Sequence, residues 1–580
     1  MDLESRRTEL NAPWWRSAVV YQIYPRSFAD SDGDGVGDLG GIRSRLDHLE
    51  LLGVDVLWLS PVYPSPQDDN GYDISDYQDI DPVFGSLAEF DLLVQDLHSR
   101  GMKLVMDLVV NHTSDEHAWF EESRSSVDSP KRDWYWWQPP RPGFTGGEQG
   151  AEPTNWGSFF SGPAWEYDEA SGEYYLHLFS RKQPDLNWEN PEVREAVHSM
   201  MRWWLDRGVD GFRMDVINMI SKELPLRDGV VPEGAEVGDG SPYYLCGPRI
   251  HEFLAEMHAA VFAGREGSFL TVGEMPGVTV EEAQLFTDPA RSEVDMVFQF
   301  EHVSLDQGAT KWDLRPLELR DLKRSLGRWQ EGLAESGWNS LYWNNHDQPR
   351  AVSRFGDDGE FRVRSAKALG TLLHLHRGTP YVYQGEELGM TNVPFASIDD
   401  FRDIESLNHF ADATGLGADP EELLVPLRRI GRDNARTPMQ WDASEHAGFT
   451  TGTPWIPANP NHVEINAEAA VADPDSVFHH YRRLVELRHD EPAVAHGDFT
   501  MVLPEHPQVY AFTRALGERR LLVLVNMGAT PATVELPDAE AWVGAESLLS
   551  NLLPGEEQPA DGVLAPWEAR VLRRVEVTGD

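Results

Sequence analysis

Three carboxylate side chains that could act together come at the ends of short apolar segments. They are Asp215, Glu274 and Asp347. Arg213 lies two residues before Asp215, and alternate residues of a strand point the same way, so its guanidinium should hold Asp215 ionised. Glu274 has no cation beside it in the sequence and can keep a raised pKa. Together the two would supply a nucleophile and a proton donor.

Two such carboxyl groups, about 5–5.5 Å apart, are the arrangement used for glycoside hydrolysis with retention. His112 and His346 also follow apolar segments and could donate hydrogen bonds to sugar hydroxyls. Taken alone, Arg213 and Asp215 fit a structural ion pair at a sheet edge equally well. Polar groups of this kind at four strand ends together predict an active site.

Eight apolar segments would have to bring these groups together. They span 19–24, 54–59, 103–109, 209–214, 269–274, 295–300, 340–345 and 379–384. Stretches with apolar residues at helical spacing lie between them, such as 87–100 and 192–207, and each of these two precedes a glycine. Strands that alternate with helices predict a parallel sheet. Eight such units predict an α/β fold of the (β/α)8 or TIM-barrel type, with the active site at the carboxyl ends of the strands.

The spacing of the segments predicts four regions. Residues 1–112 would form the first part of the barrel, with strands one to three, and residues 184–496 the remainder. Residues 113–183 are too long for a plain loop and predict an inserted subdomain after strand three. Short alternating segments in 497–580 predict a C-terminal antiparallel β-sandwich domain.

Composition limits the possible partners and compartment. The 580 residues include 97 acids and 49 bases, for a net charge of −48. Nucleic acids and anionic membranes need a basic surface, so neither is expected as a partner. One cysteine excludes an internal disulfide and fits a reducing compartment. The N-terminal segment has no apolar stretch, so we expect a cytoplasmic protein. We also expect it to be a monomer or a homodimer.

Several segments resemble a known family. Residues 107–112, 211–215, 272–274 and 345–347 look like signature regions of the α-amylase family, glycoside hydrolase family 13. The resemblance covers about residues 14–580. It is strongest to the oligo-1,6-glucosidase, dextran glucosidase and α-glucosidase branch, which segments 183–187, 344–350 and 434–441 also resemble. It implies Asp215 as nucleophile, Glu274 as general acid/base and Asp347 as transition-state stabiliser.

The same resemblance implies the residues that bind the substrate, a small oligosaccharide. Arg213, His112 and His346 would line the first subsite, Tyr72 would stack on the glucose, and Asp73 with Arg436 would bind its far hydroxyls and close the pocket. Phe160 and Phe179 would form an aromatic wall, Gln183 belongs to the fifth signature region, and Lys311 with Glu405 would contact the second sugar. A closed pocket would separate an exo-acting glucosidase from an amylase with an open cleft.

Val216, directly after the implied nucleophile, bears on linkage. Members of the family that cleave α-1,6 bonds resemble this sequence, whereas α-1,4-acting members tend to have Ala or Thr there. A branched apolar side chain can crowd one approach of the leaving sugar. The sequence therefore favours α-1,6 linkages, with α-1,4 linkages also possible substrates.

An acidic loop follows the first apolar segment. Carboxylates at Asp30, Asp32, Asp34 and Asp38, with a backbone carbonyl at Val36, have the odd-position spacing of a calcium-binding loop. It lacks the final glutamate of an EF-hand, and an acidic turn is the alternative. Similar loops in the family carry calcium, sometimes assigned as magnesium, so the resemblance implies a structural Ca²⁺ or Mg²⁺ and no organic cofactor.

Other functions are compatible with the same barrel. Glucosyl transfer or isomerisation on sucrose or trehalose would keep the covalent intermediate and change the acceptor. The Arg-Leu-Asp-Arg-Asp motif of sucrose isomerases is absent from the stretch before the seventh segment. Trehalose-6-phosphate hydrolysis would need cations around the second sugar, where Lys311 stands without a basic cluster. Heavy subunits of amino-acid transporters resemble the barrel but carry a membrane anchor and can lack the catalytic carboxylates.

Overall fold

The computed structural model of the protein describes residues 12–552 and 562–575. The N-terminal stretch, on which the expected cytoplasmic location rests, lies largely in residues 1–11 and so outside the described residues. The strands are β1 (Val20–Ile23), β2 (Val56–Leu59), β3 (Lys103–Val109), β4 (Trp137–Gln138), β5 (Trp165–Asp168), β6 (Glu173–Leu176), β7 (Gly211–Asp215), β8 (Leu270–Glu274), β9 (Met296–Phe298), β10 (Ser340–Leu341), β11 (Thr379–Tyr383), β12 (Asp498–Val502), β13 (Val509–Leu516), β14 (Arg519–Asn526), β15 (Ala532–Thr533), β16 (Glu546–Ser550), β17 (Val563–Leu564) and β18 (Ala569–Val575).

Eight parallel strands form the barrel. Their order is β10, β11, β1, β2, β3, β7, β8 and β9, and each overlaps one predicted apolar segment. A parallel bridge between Val297 of β9 and Asn339, next to β10, brings the two edges together. The strands are buried on both faces, as in other barrels covered by helices. The predicted (β/α)8 fold is confirmed.

Helices connect the strands. They are α1 (Leu39–Ser44), α2 (Leu46–Leu52), α3 (Leu87–Ser99), α4 (Ala118–Arg124), α5 (Pro191–Asp206), α6 (Ser241–Tyr244), α7 (Ile250–Val261), α8 (Val280–Thr287), α9 (Leu319–Gly332), α10 (Ala351–Phe355), α11 (Arg362–His374), α12 (Ile404–Gly415), α13 (Pro420–Ile430), α14 (Asp433–Arg436), α15 (Ala467–Ala472), α16 (Val477–Asp490) and α17 (Pro492–His496). Ser86 caps α3 by accepting a hydrogen bond from the Glu89 amide, and Asn190 caps α5 before Pro191. None of the described helices is long and apolar enough to cross a membrane.

Two further sheets flank the barrel. Between β3 and β7 the chain forms a three-stranded antiparallel sheet in the order β4, β6, β5. At the C-terminus, β12, β13, β14, β18 and β16 form an antiparallel sheet. Alternate residues of β13 face opposite sides: Tyr510 and Phe512 pack with the barrel, whereas Val509 and Ala511 pack on the side of β15 and β17. This layering confirms the predicted β-sandwich domain, while the domain boundaries themselves remain predictions.

Candidate active site

Two of the predicted catalytic carboxylates end neighbouring strands. Asp215 is the last residue of β7 and Glu274 the last of β8. Met214 pairs with Gly273, so the residues that follow them emerge side by side at the barrel's carboxyl end. Asp347 comes from the turn after β10, where its amide donates to Asn345 Oδ1 over 2.8 Å. The barrel thus joins groups that are 59 and 73 residues apart.

Arg213 holds the two strand-end carboxylates together. Its Nη1 lies 2.6 Å from Asp215 Oδ1 and 2.8 Å from Asp107 Oδ1, and its Nη2 lies 2.5 Å from Glu274 Oε2. The guanidinium is 1% exposed, so little water competes with these charge-assisted bonds. Arg213 thereby fixes the relative positions of the two carboxyl groups.

The contact between Arg213 and Glu274 corrects one expectation from the sequence. Glu274 does have a cation beside it, contributed by the neighbouring strand. Burial nevertheless raises the pKa of Glu274 to about 8, with Arg213 opposing the shift and Asp215 adding to it. Burial also raises the pKa of Asp215, to about 6, although Arg213 acts to lower it. Burial therefore outweighs the arginine at both sites, and Asp215 remains the more acidic group.

These two pKa values predict a bell-shaped dependence of kcat/KM on pH. The nucleophile must be ionised, so activity should fall as the pH drops below about 6. The acid must be protonated, so activity should fall as the pH rises above about 8. Initial rates from pH 4 to 10 would check this. A profile with no basic limb would show that a group of raised pKa is not required.

Asp347 lies in a strongly positive environment. Burial alone would raise its pKa, but the net pKa lies well below the usual range for aspartate. His346 Nε2 is 3.3 Å away, yet burial lowers the pKa of His346 to about 3, so this ring is neutral. The lowering therefore comes from Arg432, whose Nη1 is 3.3 Å from Asp347 Oδ1, then from Arg436, whose Nη2 is 2.7 Å from it, and from the more distant Arg213. Asp347 stays ionised at any pH at which the protein would work.

A cavity of about 280 Å³ contains the three carboxylates. Its lining includes most of the predicted substrate-binding residues: Tyr72, His112, Phe160, Phe179, Lys311 and Glu405. Its lining also includes residues that the sequence did not indicate, among them Asp69, Phe159, Met219, Phe300, Gln348 and Arg432. Lys311 and Glu405 form an ion pair with each other at one side of the cavity.

Some predicted residues lie behind the lining. His346 stacks on Tyr72 with ring centroids 5.0 Å apart, and its Nδ1 is 2.8 Å from Gln22 Nε2. Gln183 Nε2 lies 3.3 Å from His112 Nε2, and it donates to Asp69 Oδ2 over 3.1 Å. These residues orient the groups that face the cavity.

Asp73 and Arg436 do not form the predicted closing pair. The Asp73 carboxylate accepts hydrogen bonds from the Ser65 hydroxyl at 2.9 Å and the Asp68 and Asp69 amides at 2.8 and 3.1 Å, which fold its own loop. Asp69 lines the cavity instead and lies 3.2 Å from Arg432 Nη2. Arg432 also lies 5.0 Å from the ring of Phe160, so it joins the acidic side to the aromatic wall.

Comparison with known proteins identifies the family. The family's sequence model for the α-amylase catalytic domain matches residues 22–497. The chain belongs to the α-amylase family. It is 58% identical to an oligo-1,6-glucosidase of Parageobacillus thermoglucosidasius over 97% of this chain and 99% of that protein.

Solved structures of other proteins are also similar over nearly the whole length. A trehalose-6-phosphate hydrolase of Bacillus licheniformis has a TM-score of 0.90 and 46% identity, covering 97% of this chain and all of that one. A trehalulose synthase of Pseudomonas mesoacidophila MX-45 has a TM-score of 0.90 and 44% identity, covering 97% of this chain and 99% of that one. The barrel and its appended sheets therefore follow the family's architecture.

Val216 has an unusual backbone. Its φ of 35° and ψ of 38° are left-handed, a conformation that β-branched residues rarely adopt. In this conformation its amide donates to Glu274 Oε2 over 3.2 Å, and its side chain lines the cavity. Strain of this kind persists only where surrounding contacts impose it. Oε2 is thus held by both Arg213 and Val216, which leaves Oε1 to carry a proton.

A buried ion pair supports the histidine of the cavity. Lys222 Nζ donates to Asp185 Oδ2 over 2.7 Å and to Asn111 Oδ1 over 3.2 Å, and neither charged side chain is exposed. Asn111 Nδ2 in turn lies 3.3 Å from His112 Nδ1. Asp185 also accepts from the Leu178 amide, and its own amide donates to Leu176 O at the end of β6, so the pair ties the inserted sheet to the barrel.

Replacing Lys222 by methionine should destabilise the protein by about 3–5 kcal/mol, because it leaves the Asp185 charge buried without its partner. Lys182→Met is the matched control: Lys182 is 29% exposed and pairs with Asp115 at 2.6 Å, so its loss should cost less than about 1 kcal/mol. Thermal unfolding of both variants and the wild type would measure the two losses of stability. Equal shifts in the two would mean that the buried pair is not needed for stability, whereas recovery in Lys222→Met/Asp185→Asn would support the argument.

The acidic loop after β1 places part of the predicted metal ligands together. Carboxylate oxygens of Asp30, Asp32 and Asp38 lie within 4.8 Å of one another. Asp34 is not in this group, and its Oδ1 accepts from the Val36 amide at 2.7 Å. The oxygen-only donor set suits a hard cation such as Ca²⁺. Gly35, with φ of 96°, leaves no space for a side chain, since a Cβ would lie 1.9 Å from Thr453 O.

Proposed function

We propose that the protein is an exo-acting, retaining α-glucosidase that releases terminal α-1,6-linked glucose from short oligosaccharides such as isomaltose. The observation that carries this proposal is a small cavity containing Asp215, Glu274 and Asp347. Arg213 contacts both Asp215 and Glu274, and of these two carboxyl groups Asp215 has the lower pKa. The similarity to an oligo-1,6-glucosidase supports the linkage, as does the crowding side chain of Val216.

The reaction follows from the protonation states. Ionised Asp215 attacks the anomeric carbon while protonated Glu274 gives its proton to the glycosidic oxygen, so the leaving sugar departs as a neutral alcohol. Asp347 remains ionised and stabilises the positive charge that develops on the glucosyl ring. Glu274, now a carboxylate, then takes a proton from water as the water attacks the covalent β-glucosyl ester. Glucose leaves with its original configuration, and a sugar hydroxyl in place of water would give transglucosylation.

The walls of the cavity support exo action. The Asp69–Arg432 ion pair forms part of the lining beside Asp347, and Phe160 packs against Arg432. We infer that this wall admits one terminal glucose and prevents a chain from passing through. The cations in the lining, Lys311 and Arg432, are each paired with carboxylates, which does not favour a phosphorylated substrate.

The deciding experiment compares kcat/KM for isomaltose, maltose, sucrose, trehalose and trehalose 6-phosphate. We expect isomaltose to lead by at least tenfold, equivalent to about 1.4 kcal/mol of transition-state preference. In Val216→Ala and Val216→Thr the ratio of isomaltose to maltose should fall. A wild type that prefers maltose would overturn the linkage but leave the mechanism intact. A folded protein that cleaves none of these sugars would overturn both.

We also propose that the loop after β1 binds a structural Ca²⁺, or Mg²⁺, through Asp30, Asp32 and Asp38, with Asp34 and the Val36 carbonyl as further ligands. Removal by a chelator should lower the melting temperature, since metal at 100 times its Kd stabilises by about 2.7 kcal/mol. Asp32→Asn should show a smaller response to the chelator. Well below the melting temperature kcat/KM should not change, because these residues are separate from the carboxylates of the cavity. An unchanged melting temperature with chelator and with added Ca²⁺ would contradict the proposal.

We propose, on composition alone, that the protein is located in the cytoplasm. A single cysteine fits the reducing conditions of the cytoplasm. The high negative charge is consistent with a neutral sugar as the substrate rather than a nucleic acid.

A further inference from the structure

A second and larger cavity lies next to the catalytic one. It measures about 530 Å³, against about 280 Å³ for the catalytic cavity, and both are lined by Phe160 and Phe179. Strands β5 and β6 of the inserted sheet contribute to one side, and the first turns of α12 to another. Asn408 of α12 donates to Phe160 O over 2.8 Å and so fixes the wall between the two cavities.

The larger cavity has polar groups with free bonding capacity. Glu152, Glu166 and Arg181 all line it. Their side chains form no ion pair and no hydrogen bond with another described residue, although the backbone carbonyls of Glu152 and Arg181 accept hydrogen bonds. In a chain with 97 acids and 49 bases, a guanidinium without a carboxylate partner is unexpected. The catalytic cavity differs, because the charges of Arg432 and Lys311 there are already paired.

The chemistry of the lining selects the class of ligand. Rings such as Tyr167 offer a flat apolar surface, while Glu152, Glu166 and Arg181 offer acceptors and donors for hydroxyl groups. Carboxylates outnumber the one guanidinium, which disfavours phosphate and other anions, and the polar lining disfavours an apolar ligand. A neutral polyhydroxylated ring meets both conditions.

We propose that this cavity is a second saccharide-binding site that takes glucosyl units outside the catalytic cavity. The proposal rests on the proposed function, since it assumes that glucosyl oligosaccharides are the substrates. The units could belong to the distal part of a chain whose end is in the catalytic cavity, or to a separate molecule. An occupant would pack against the other side of Phe160 and Phe179.

Two measurements on Glu166→Ala/Arg181→Ala test the proposal and separate the two sources. The first is the ratio of kcat/KM for isomaltohexaose to that for isomaltose, which should fall about tenfold if distal units occupy the site. The second is calorimetric titration of isomaltose into protein saturated with 1-deoxynojirimycin, which would block the catalytic cavity. Binding that occurs in the blocked wild type and is lost in the double variant would indicate a separate molecule.

The control is Glu122→Ala/Lys131→Ala, a surface pair on the inserted region with 3.3 Å between its charged atoms. It should behave as the wild type in both measurements. Two results would overturn the proposal. In the first, the ratio of kcat/KM values in the double variant stays within twofold of the wild-type ratio, and the inhibitor-saturated wild type binds no isomaltose. In the second, the inhibitor-saturated double variant still binds isomaltose. Failure of the proposed function would be distinguishable, because the wild type would then release no glucose from isomaltose.

Discussion

Replacing Asp215 by asparagine is expected to lower kcat/KM for isomaltose by at least about four orders of magnitude, as for the loss of other catalytic nucleophiles. The amide is nearly isosteric and can still accept a hydrogen bond from Arg213, so the site should remain assembled. It cannot form the glucosyl ester, which removes the covalent step itself. Glucose release under initial-rate conditions measures the loss.

The identity of the nucleophile can be checked independently. Reaction of the wild type with 5-fluoro-α-glucosyl fluoride should leave a stable glucosyl ester, and peptide mass spectrometry should find it on Asp215. Asp206→Asn, a surface carboxylate paired with Arg265 at 2.6 Å, is the control and should retain wild-type activity. A label on another residue, or substantial turnover by a correctly folded Asp215→Asn, would refute the assignment.

The sequence predicted those features that depend on local pattern. Asp215 and Arg213 share a face of β7 because they are two residues apart, and this spacing holds in any strand. The barrel itself follows from eight alternating units, and its carboxyl edge was therefore the expected location of Asp215 and Glu274. Local pattern could not show that Arg213 also reaches Glu274, because that contact depends on the register of β7 against β8.

Asp69 and Asp73 have different surroundings in the structure although they lie in the same loop. Both are acidic residues of one short loop near Tyr72, and the sequence gives no reason to choose between them. Asn70 and Gly71 adopt φ of 50° and 106°, which reverses the chain between the two carboxylates. Asp69 then faces the cavity, while Asp73 accepts the amides of its own loop. Positive φ values at such positions are decided by tertiary context.

Arg432 and Arg436 are also close together in the sequence and differ in position. Arg432 directly precedes the short helix α14 and Arg436 is its last residue, so they are four residues apart and both can reach the same side. Arg436 is buried against Asp347 and the His346 carbonyl, whereas Arg432 lines the cavity and pairs with Asp69. A substitution at either would remove positive charge near Asp347. Only Arg432 belongs to the wall of the cavity.

Replacing Glu274 by glutamine should separate proton transfer from nucleophilic attack. We expect kcat/KM for isomaltose to fall by about 10²–10⁴, the usual contribution of general acid–base catalysis. The departing sugar is a poor leaving group and needs a proton, whereas 2,4-dinitrophenolate does not. The first step on 2,4-dinitrophenyl α-glucoside should therefore be nearly unaffected. The limb of the pH profile near pH 8 should also disappear, because Glu274 is the group whose pKa lies there.

Glu274→Gln should further respond to azide, which attacks the glucosyl ester without help from a base. Turnover of the activated substrate should rise with azide, and the product should be α-glucosyl azide because a second inversion restores the original configuration. Asp215→Asn forms no ester and should not respond, which makes it the matched control. Equal loss on isomaltose and on the activated substrate, with no effect of azide, would mean that Glu274 is not the acid/base. In that case the raised pKa would reflect burial of a carboxyl group that only orients Arg213 and the Val216 amide.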